Sequence, residues 1–336
     1  MRLTPSAADP LTGQRLMVGF TGTVLNDELK SAIDTLRVGG LILFSQNIES
    51  PAQVQDLCGT AQAYAADCGL APLFVAIDQE GGMVARLKPP FTQFAGNPAM
   101  TSEADARRFG RITARELRQI GVNMNMAPVL DVAPPDGPSV MAGRVFGNDP
   151  GWVTCMGLAV IEQLQADGIL AVGKHFPGIG RTTLDSHQEL PDLDIDPEVL
   201  SDSDLAPFRA ATQAGVAGIM LSHIRYPRLD PRWPASLSSV VARDLLRGTL
   251  GYQGLVITDD LDMGAVIKHF PLPDMVDQCL AAEVDILLIC HTGPNIAEAH
   301  RSIEEGIRRS ETAAQAHEAS LQRIAAAKAR YSVSTR

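Results

Sequence analysis

The sequence predicts a single (β/α)8 barrel of TIM type, and three observations carry that expectation. Eight continuously apolar runs alternate with helix-patterned stretches between residues 15 and 292. Charged or imidazole side chains follow at once on the C-terminal ends of several runs, which is where barrel enzymes gather their chemistry. The first run leads into FTGTVLNDEL, which lacks the G-x-G-x-x-G of a doubly wound dinucleotide fold. That alternative is the weaker one.

Taken in order, strands are expected near LMVGF (16–20), GLILF (40–44), LFVAID (73–78), NMNMAPVLDV (123–132), LAVGKHF (170–176), GIMLSH (218–223), GLVITDD (254–260) and DILLIC (285–290). They are apolar throughout rather than alternating, the pattern of strands buried on both faces. Helical stretches lie between them, among them PAQVQDLCGTAQAYAADCG, EADARRFGRITARELRQIG and GWVTCMGLAVIEQLQADG. Several close on Gly, the usual C-terminal stop. A last segment, about 295–331, reads as an amphipathic helix or helix pair packing on the outside. No low-complexity linker interrupts the chain, so residues 1–336 read as one domain.

Composition narrows the function classes. Hydrophobic residues make up 45% and charged residues 20%, an ordinary globular balance. A formal charge of −11 argues against a broad nucleic-acid or anionic-membrane surface. The opening MRLTPSAADP has no apolar core of a secretory signal, and no run reaches the roughly 18 apolar residues of a membrane helix. Cys58, Cys68, Cys155, Cys279 and Cys290 are odd in number and lack C-x-x-C spacing. They read as small core residues in a reducing compartment. The expectation is a cytoplasmic monomer without metal or cofactor.

The stretch most dense in chemistry is KHFPGIGRTTLDSH, residues 174–187. Lys174 and His175 end an apolar run, and the backbone then breaks at Pro177, Gly178 and Gly180. A cation and an imidazole opening into a Gly/Pro loop suit a ligand site. Asp185 stands two residues before His187, close enough to fix the ring's tautomer and stabilise its protonated form.

KHFPGIG, four residues and DSH together resemble the KHFPGHG-x4-DSH signature of the family 3 glycoside hydrolases. The closest likeness is to the bacterial β-N-acetylglucosaminidases of peptidoglycan recycling. Other motifs extend it. IDQEGGMVARL resembles the family's IDQEGGRVxRL, which implies that Asp78 and Arg86 contact the terminal sugar; Met83 replaces the usual arginine. GRVFGNDP resembles G-x-RSFG-x-DP and implies a sugar-binding role for Arg144. Lys174 and His175 match a pair that contacts hydroxyls of the same sugar. Neighbouring side chains of a regular strand point opposite ways, so both reach one ligand only where the strand ends. Ile179 stands where the family has His. Asp131 reads as a supporting or turn-capping carboxylate, and His223 as a partner behind the site or a satisfied core histidine. TDDLDM resembles the nucleophile segment; Asp259 takes the nucleophile's place and Asp260 a supporting or helix-start role.

The resemblance implies a retaining mechanism. Asp259 attacks the anomeric carbon, His187 protonates the leaving oxygen and then activates water, and Asp185 orients the imidazole. The implied substrate is a non-reducing terminal β-linked N-acetylglucosamine, on muropeptide fragments containing anhydro-N-acetylmuramic acid. Two alternatives use the same residues: a phosphorylase, for which Arg181 is the candidate phosphate donor, and a catalytically silent sugar-binding protein. A metal-dependent barrel hydrolase would want an H-x-H after the first strand, where this sequence has none.

Overall fold

The computed structural model describes residues 11–184, 186 and 189–331. Eight parallel strands form a closed barrel: β1 (Leu16–Val18), β2 (Gly40–Leu43), β3 (Phe74–Ile77), β4 (Met124–Asn125), β5 (Leu170–Phe176), β6 (Gly218–Leu221), β7 (Leu255–Asp260) and β8 (Ile286–Ile289). They neighbour one another in chain order, and β1 pairs with both β2 and β8 to close the ring. The expected (β/α)8 architecture is present.

The unbroken apolar runs have a direct cause. Met17, Ile42, Phe74, Ala76, Leu170, Val172, Leu255 and Ile257 fill the barrel interior. Their strand neighbours Leu16, Val18, Leu41, Leu43, Val75, Ile77 and Val256 face the surrounding helices. Both faces are dry, so neither carries a polar alternation. The helices start where the sequence offers caps: Asn26, Ser50, Ser102 and Asp149 each accept a hydrogen bond from a first-turn N–H.

Two elements differ from expectation. The strand foreseen over 123–132 is regular only at Met124–Asn125. Pro128 has no N–H to give to a ladder, yet the segment still tracks β5. Val172 N donates to Ala127 O at 3.0 Å, Lys174 N to Pro128 O at 3.1 Å and Leu130 N to Lys174 O at 2.7 Å. The second difference is at the C-terminus. Helices Pro294–Arg309 and Glu311–Tyr331 form the expected pair, but the second does more than coat the outside. Ile324 and Tyr331 join Met17, Phe74 and Leu170 in the interior cluster and so cap the N-terminal mouth of the barrel. Lys328 goes in with them, its Nζ 2.7 Å from Gln14 Oε1 and 5.3 Å from the Phe74 ring centre. Burial pushes that ammonium down to about 7. Arg323 Nε reaches the buried Asp285 at 2.8 Å, and Arg247 Nη2 reaches the same carboxylate at 2.6 Å.

The capping role predicts a core-sized penalty within a helix that the sequence placed on the outside of the barrel. Ile324→Ala should lower the unfolding free energy by about 3 kcal/mol, as other buried large-to-small changes do. Urea unfolding would read it, and a loss below about 0.5 kcal/mol, the surface range, would mean that the helix does not seal the barrel.

Candidate active site

The strand ends opposite that cap surround a cavity of about 500 Å³. Its floor includes Ile42, Met220, Leu288 and Cys290, which also belong to the barrel's interior packing. The cavity is therefore blind: below it lies core. Asp78, Arg86, Arg144, Lys174, His175 and Asp259 all line it, so the structure gathers around one space the described residues expected at the site. Asp185 and His187 lie outside the described residues.

One wall is a run of alternating charges. Arg86 Nη2 stands 3.2 Å from Asp78, Lys174 Nζ 2.8 Å from Asp78 and 2.7 Å from Glu80, and Arg144 Nη2 2.7 Å from Glu80. Burial alone would raise the Asp78 carboxyl, but Lys174 and Arg86 outweigh it and hold the group at about 2. Glu80 is likewise lowered against its burial by Lys174 and Arg144. Lys174, for the same reason inverted, is raised by Asp78 and Glu80 although burial opposes its charge. The wall is fully ionised at neutral pH.

Local backbone puts these groups in place. Asp78 directly follows β3, and a hairpin of Gln79–Gly81 against Val84–Ala85 turns the chain back so that Arg86 meets it. Gly82 sits at φ 61 in that turn, and a Cβ there would come within 3.0 Å of Ala95 O and Gly96 Cα. Lys174 and His175 both face the cavity, and the pairing of β5 with β6 shifts register between Gly173 and Phe176. The strand does not end at these residues, as expected from the sequence, but runs on to Phe176; the irregularity within it lets both side chains face one side. Asp131 receives His175 Nδ1 at 2.8 Å, His175 N at 3.3 Å and Ile179 N at 2.8 Å. It supports His175 and the start of the following loop rather than touching the cavity. That loop lies tight on the 130–133 segment: a side chain at Gly180 would collide with the carbonyl oxygen of Val132. Ile179 points into the core, 5% exposed.

On the facing wall Asp259, half-buried, lines the cavity at the end of β7. Asp260 also lines the cavity, with one carboxylate oxygen tied down by Cys290 N at 2.9 Å and Asp262 N at 3.1 Å. Burial raises its carboxyl to about 6. His223 is buried away from the cavity and bonds Asp260 O at 2.8 Å and Ser236 Oγ at 2.7 Å, so it steadies the β7 backbone. It therefore stands behind the site as a satisfied, buried histidine, within the expectation from the sequence. Asp260, Asp262 and His291 hold ligand-type atoms within 4.8 Å of one another at the rim, but Asp262 already accepts Asn295 Nδ2 at 2.6 Å.

Sequence reasoning missed Glu80. It is 1% exposed and joins Arg144 to Lys174. The available signal was a carboxylate inside the IDQEGG string, where a buried charge requires partners. A second groove of about 490 Å³ lies among the helices that carry Arg243, Asp277 and Arg309. Its Asp277 and Arg309 pair with each other at 2.7 Å, and it is remote from the strand ends.

Residues 11–327 match the family described as Glycosyl hydrolase family 3 N terminal domain. The beta-hexosaminidase of Nitrosomonas eutropha is 35% identical over 90% of this chain and 88% of its own length. Beta-hexosaminidase A of Pseudoalteromonas piscicida is 35% identical over 85% of this chain, which spans 54% of that longer protein. Among solved structures, a glycoside hydrolase family 3 beta-N-acetylglucosaminidase from Paenibacillus sp. superposes with a TM-score of 0.92 at 36% identity. It covers 98% of this chain and 63% of that one.

The raised Asp260 carboxyl has a stability signature. Its folded value, about 6, lies above the ordinary 3.8 of an aspartate carboxyl, so the folded state prefers the protonated form. Stability from this group is present at low pH and is lost as pH rises between those values, by roughly 3 kcal/mol. Asp260→Asn keeps an acceptor for both N–H groups without the charge. Denaturant unfolding should show the variant near wild type at pH 4 and increasingly more stable toward pH 7. A difference that does not vary with pH would refute the assignment.

Proposed function

The chain belongs to the family 3 glycoside hydrolases, and from that premise we propose that it is a retaining exo-β-N-acetylglucosaminidase. It removes non-reducing terminal β-linked N-acetylglucosamine, with muropeptide fragments released in peptidoglycan recycling as the natural source. The observation that carries this reading is the blind cavity with ionised hydroxyl-binding groups on one wall and Asp259 on the other.

Asp78 is an acceptor fixed as a carboxylate, and Arg86, Arg144 and Lys174 are donors fixed in direction by their carboxylate partners. Such a preorganised set suits a ring of vicinal hydroxyls, and its binding energy is available at the transition state. Met220 and Leu288 on the floor exclude a second sugar beneath the first, which favours exo action. Asp259 attacks the anomeric carbon and forms a covalent glycosyl ester as the glycosidic C–O bond breaks. His187 gives the leaving oxygen its proton, then takes one from the water that cleaves the ester. Asp185 holds the imidazole in the tautomer that serves both steps.

Water rather than phosphate is the second reactant. Arg181, the donor that phosphate would need, has its Nε 2.9 and 3.1 Å from the two oxygens of buried Asp204 and its Nη2 3.0 Å from Ser203 Oγ. A net charge of −11 gives a dianion no further help.

Replacement tests the roles separately. Asp259→Ala should abolish turnover while Asp260→Asn retains it, and a slowed fluorinated substrate should leave an adduct on Asp259 in peptide mass spectra. The reverse pattern would move the nucleophile. His187→Ala should cost about 10²–10⁴-fold on substrates with poor leaving groups and far less on activated aryl glycosides. Equal losses would make His187 a binding residue. Product analysis in phosphate buffer should find free N-acetylglucosamine; sugar 1-phosphate as the main product would make the protein a phosphorylase.

A further inference from the structure

Resting on the hydrolase reading above, the rim of the cavity says what kind of leaving group the protein takes. Met83 sits in the turn of the hairpin that ends in Val84 and Arg86, both of which line the cavity. It is 72% exposed, far more than an apolar side chain gains from. Its sulfur lies across Gly143, where an added Cβ would come within 2.9 Å of it, and Gly143 directly precedes Arg144 of the cavity wall. Met83 thus bridges two loops at the mouth.

Two further exposed apolar side chains lie on the loops adjoining these. Val140, 42% exposed, donates its N–H to Thr182 O at 3.1 Å, which ties the 139–144 loop to the loop after β5. Leu184, 54% exposed, lies on that second loop, its N–H 3.4 Å from Thr182 Oγ1. It immediately precedes Asp185 in the chain. The floor is closed, so the leaving group has to lie at this mouth.

Charge at the mouth points the same way. Each lining cation already holds a carboxylate: Arg86 with Asp78, Arg144 with Glu80, and Lys174 with both. Asp259, Asp260 and Asp262 add acidic groups on the facing side. Among the described residues, a carboxylate on the leaving group would meet that field with every lining Arg and Lys already engaged by a carboxylate.

We propose that Met83, with Val140 and Leu184, forms an apolar leaving-group subsite that takes a neutral pyranose by its C–H face and discriminates against a carboxylate-bearing one. Muropeptide fragments remain substrates on this account, but their acidic groups add nothing to recognition. Met83 sets the preference because it spans the hairpin and the 139–144 loop.

The test compares kcat/KM on N,N′-diacetylchitobiose, on N-acetylglucosaminyl-β-1,4-N-acetylmuramic acid and on methyl β-N-acetylglucosaminide, whose aglycone is too small to reach the rim. Wild type should prefer the neutral disaccharide to the acidic one severalfold, and added salt should narrow that gap. Met83→Ala should lower the ratio of chitobiose to methyl glycoside by about tenfold, the low end for one apolar contact. Met83→Arg should shift preference toward the acidic disaccharide in a salt-sensitive manner. A wild-type preference for the acidic disaccharide, or an unchanged ratio in Met83→Ala, overturns the subsite. Failure of the folded wild-type protein to release N-acetylglucosamine from any of the three would instead remove the hydrolase reading, and the subsite with it.

Discussion

The structure of the site depends on one buried chain of charges, Arg86–Asp78–Lys174–Glu80–Arg144. The Lys174 and Glu80 side chains are 3% and 1% exposed, so each would be prohibitively costly alone. Removing one partner of such a set typically costs about 3–5 kcal/mol, since it strands the others. The set is therefore better understood as a preorganised surface than as a source of stability. Its members face a cavity with their positions already decided, and on the proposed reading a sugar's hydroxyls would find donors and acceptors that need not reorient.

The barrel is what makes the chain of charges possible. Asp78 ends β3 and Lys174 lies near the end of β5, with β4 between them and 96 residues of sequence separating them. A parallel sheet brings such ends to one edge, and its closure sets them around one cavity. The irregular backbone after β4 keeps Lys174 in register through Pro128 and Leu130, while Asp131 on the same segment steadies His175. Across the cavity, His223 and the backbone N–H of Cys290 hold the Asp260 peptide and carboxyl, beside Asp259 on the cavity lining.

Much of this was legible in the sequence because the physics is local. Strands buried on both faces must be apolar throughout, and charges at their ends must converge if the strands close. Asp78, Arg86, Arg144, Lys174, His175 and Asp259 were found that way together with motif likeness, and they do share one cavity. What escaped depends on contacts distant in sequence. Glu80 looked like any acidic turn residue until Arg144 came to lie 2.7 Å away. The helix ending at Tyr331 read as a surface helix because Ile324 and Lys328 meet their partners Phe74 and Gln14 only after the barrel closes. His223 is what the sequence allowed, a buried histidine behind the site, and the contact that decides its role is the Asp260 carbonyl.

The central claim is that the charged wall and Asp259 address opposite sides of one sugar ring. A crystal structure with N-acetylglucosamine bound tests it most directly. The account predicts ring hydroxyls on Asp78, Arg86 and Lys174, with the anomeric carbon about 3–3.5 Å from an Asp259 oxygen. A sugar seated with its anomeric carbon turned toward the floor, or held by Asp260 and Asp262 instead, would contradict it.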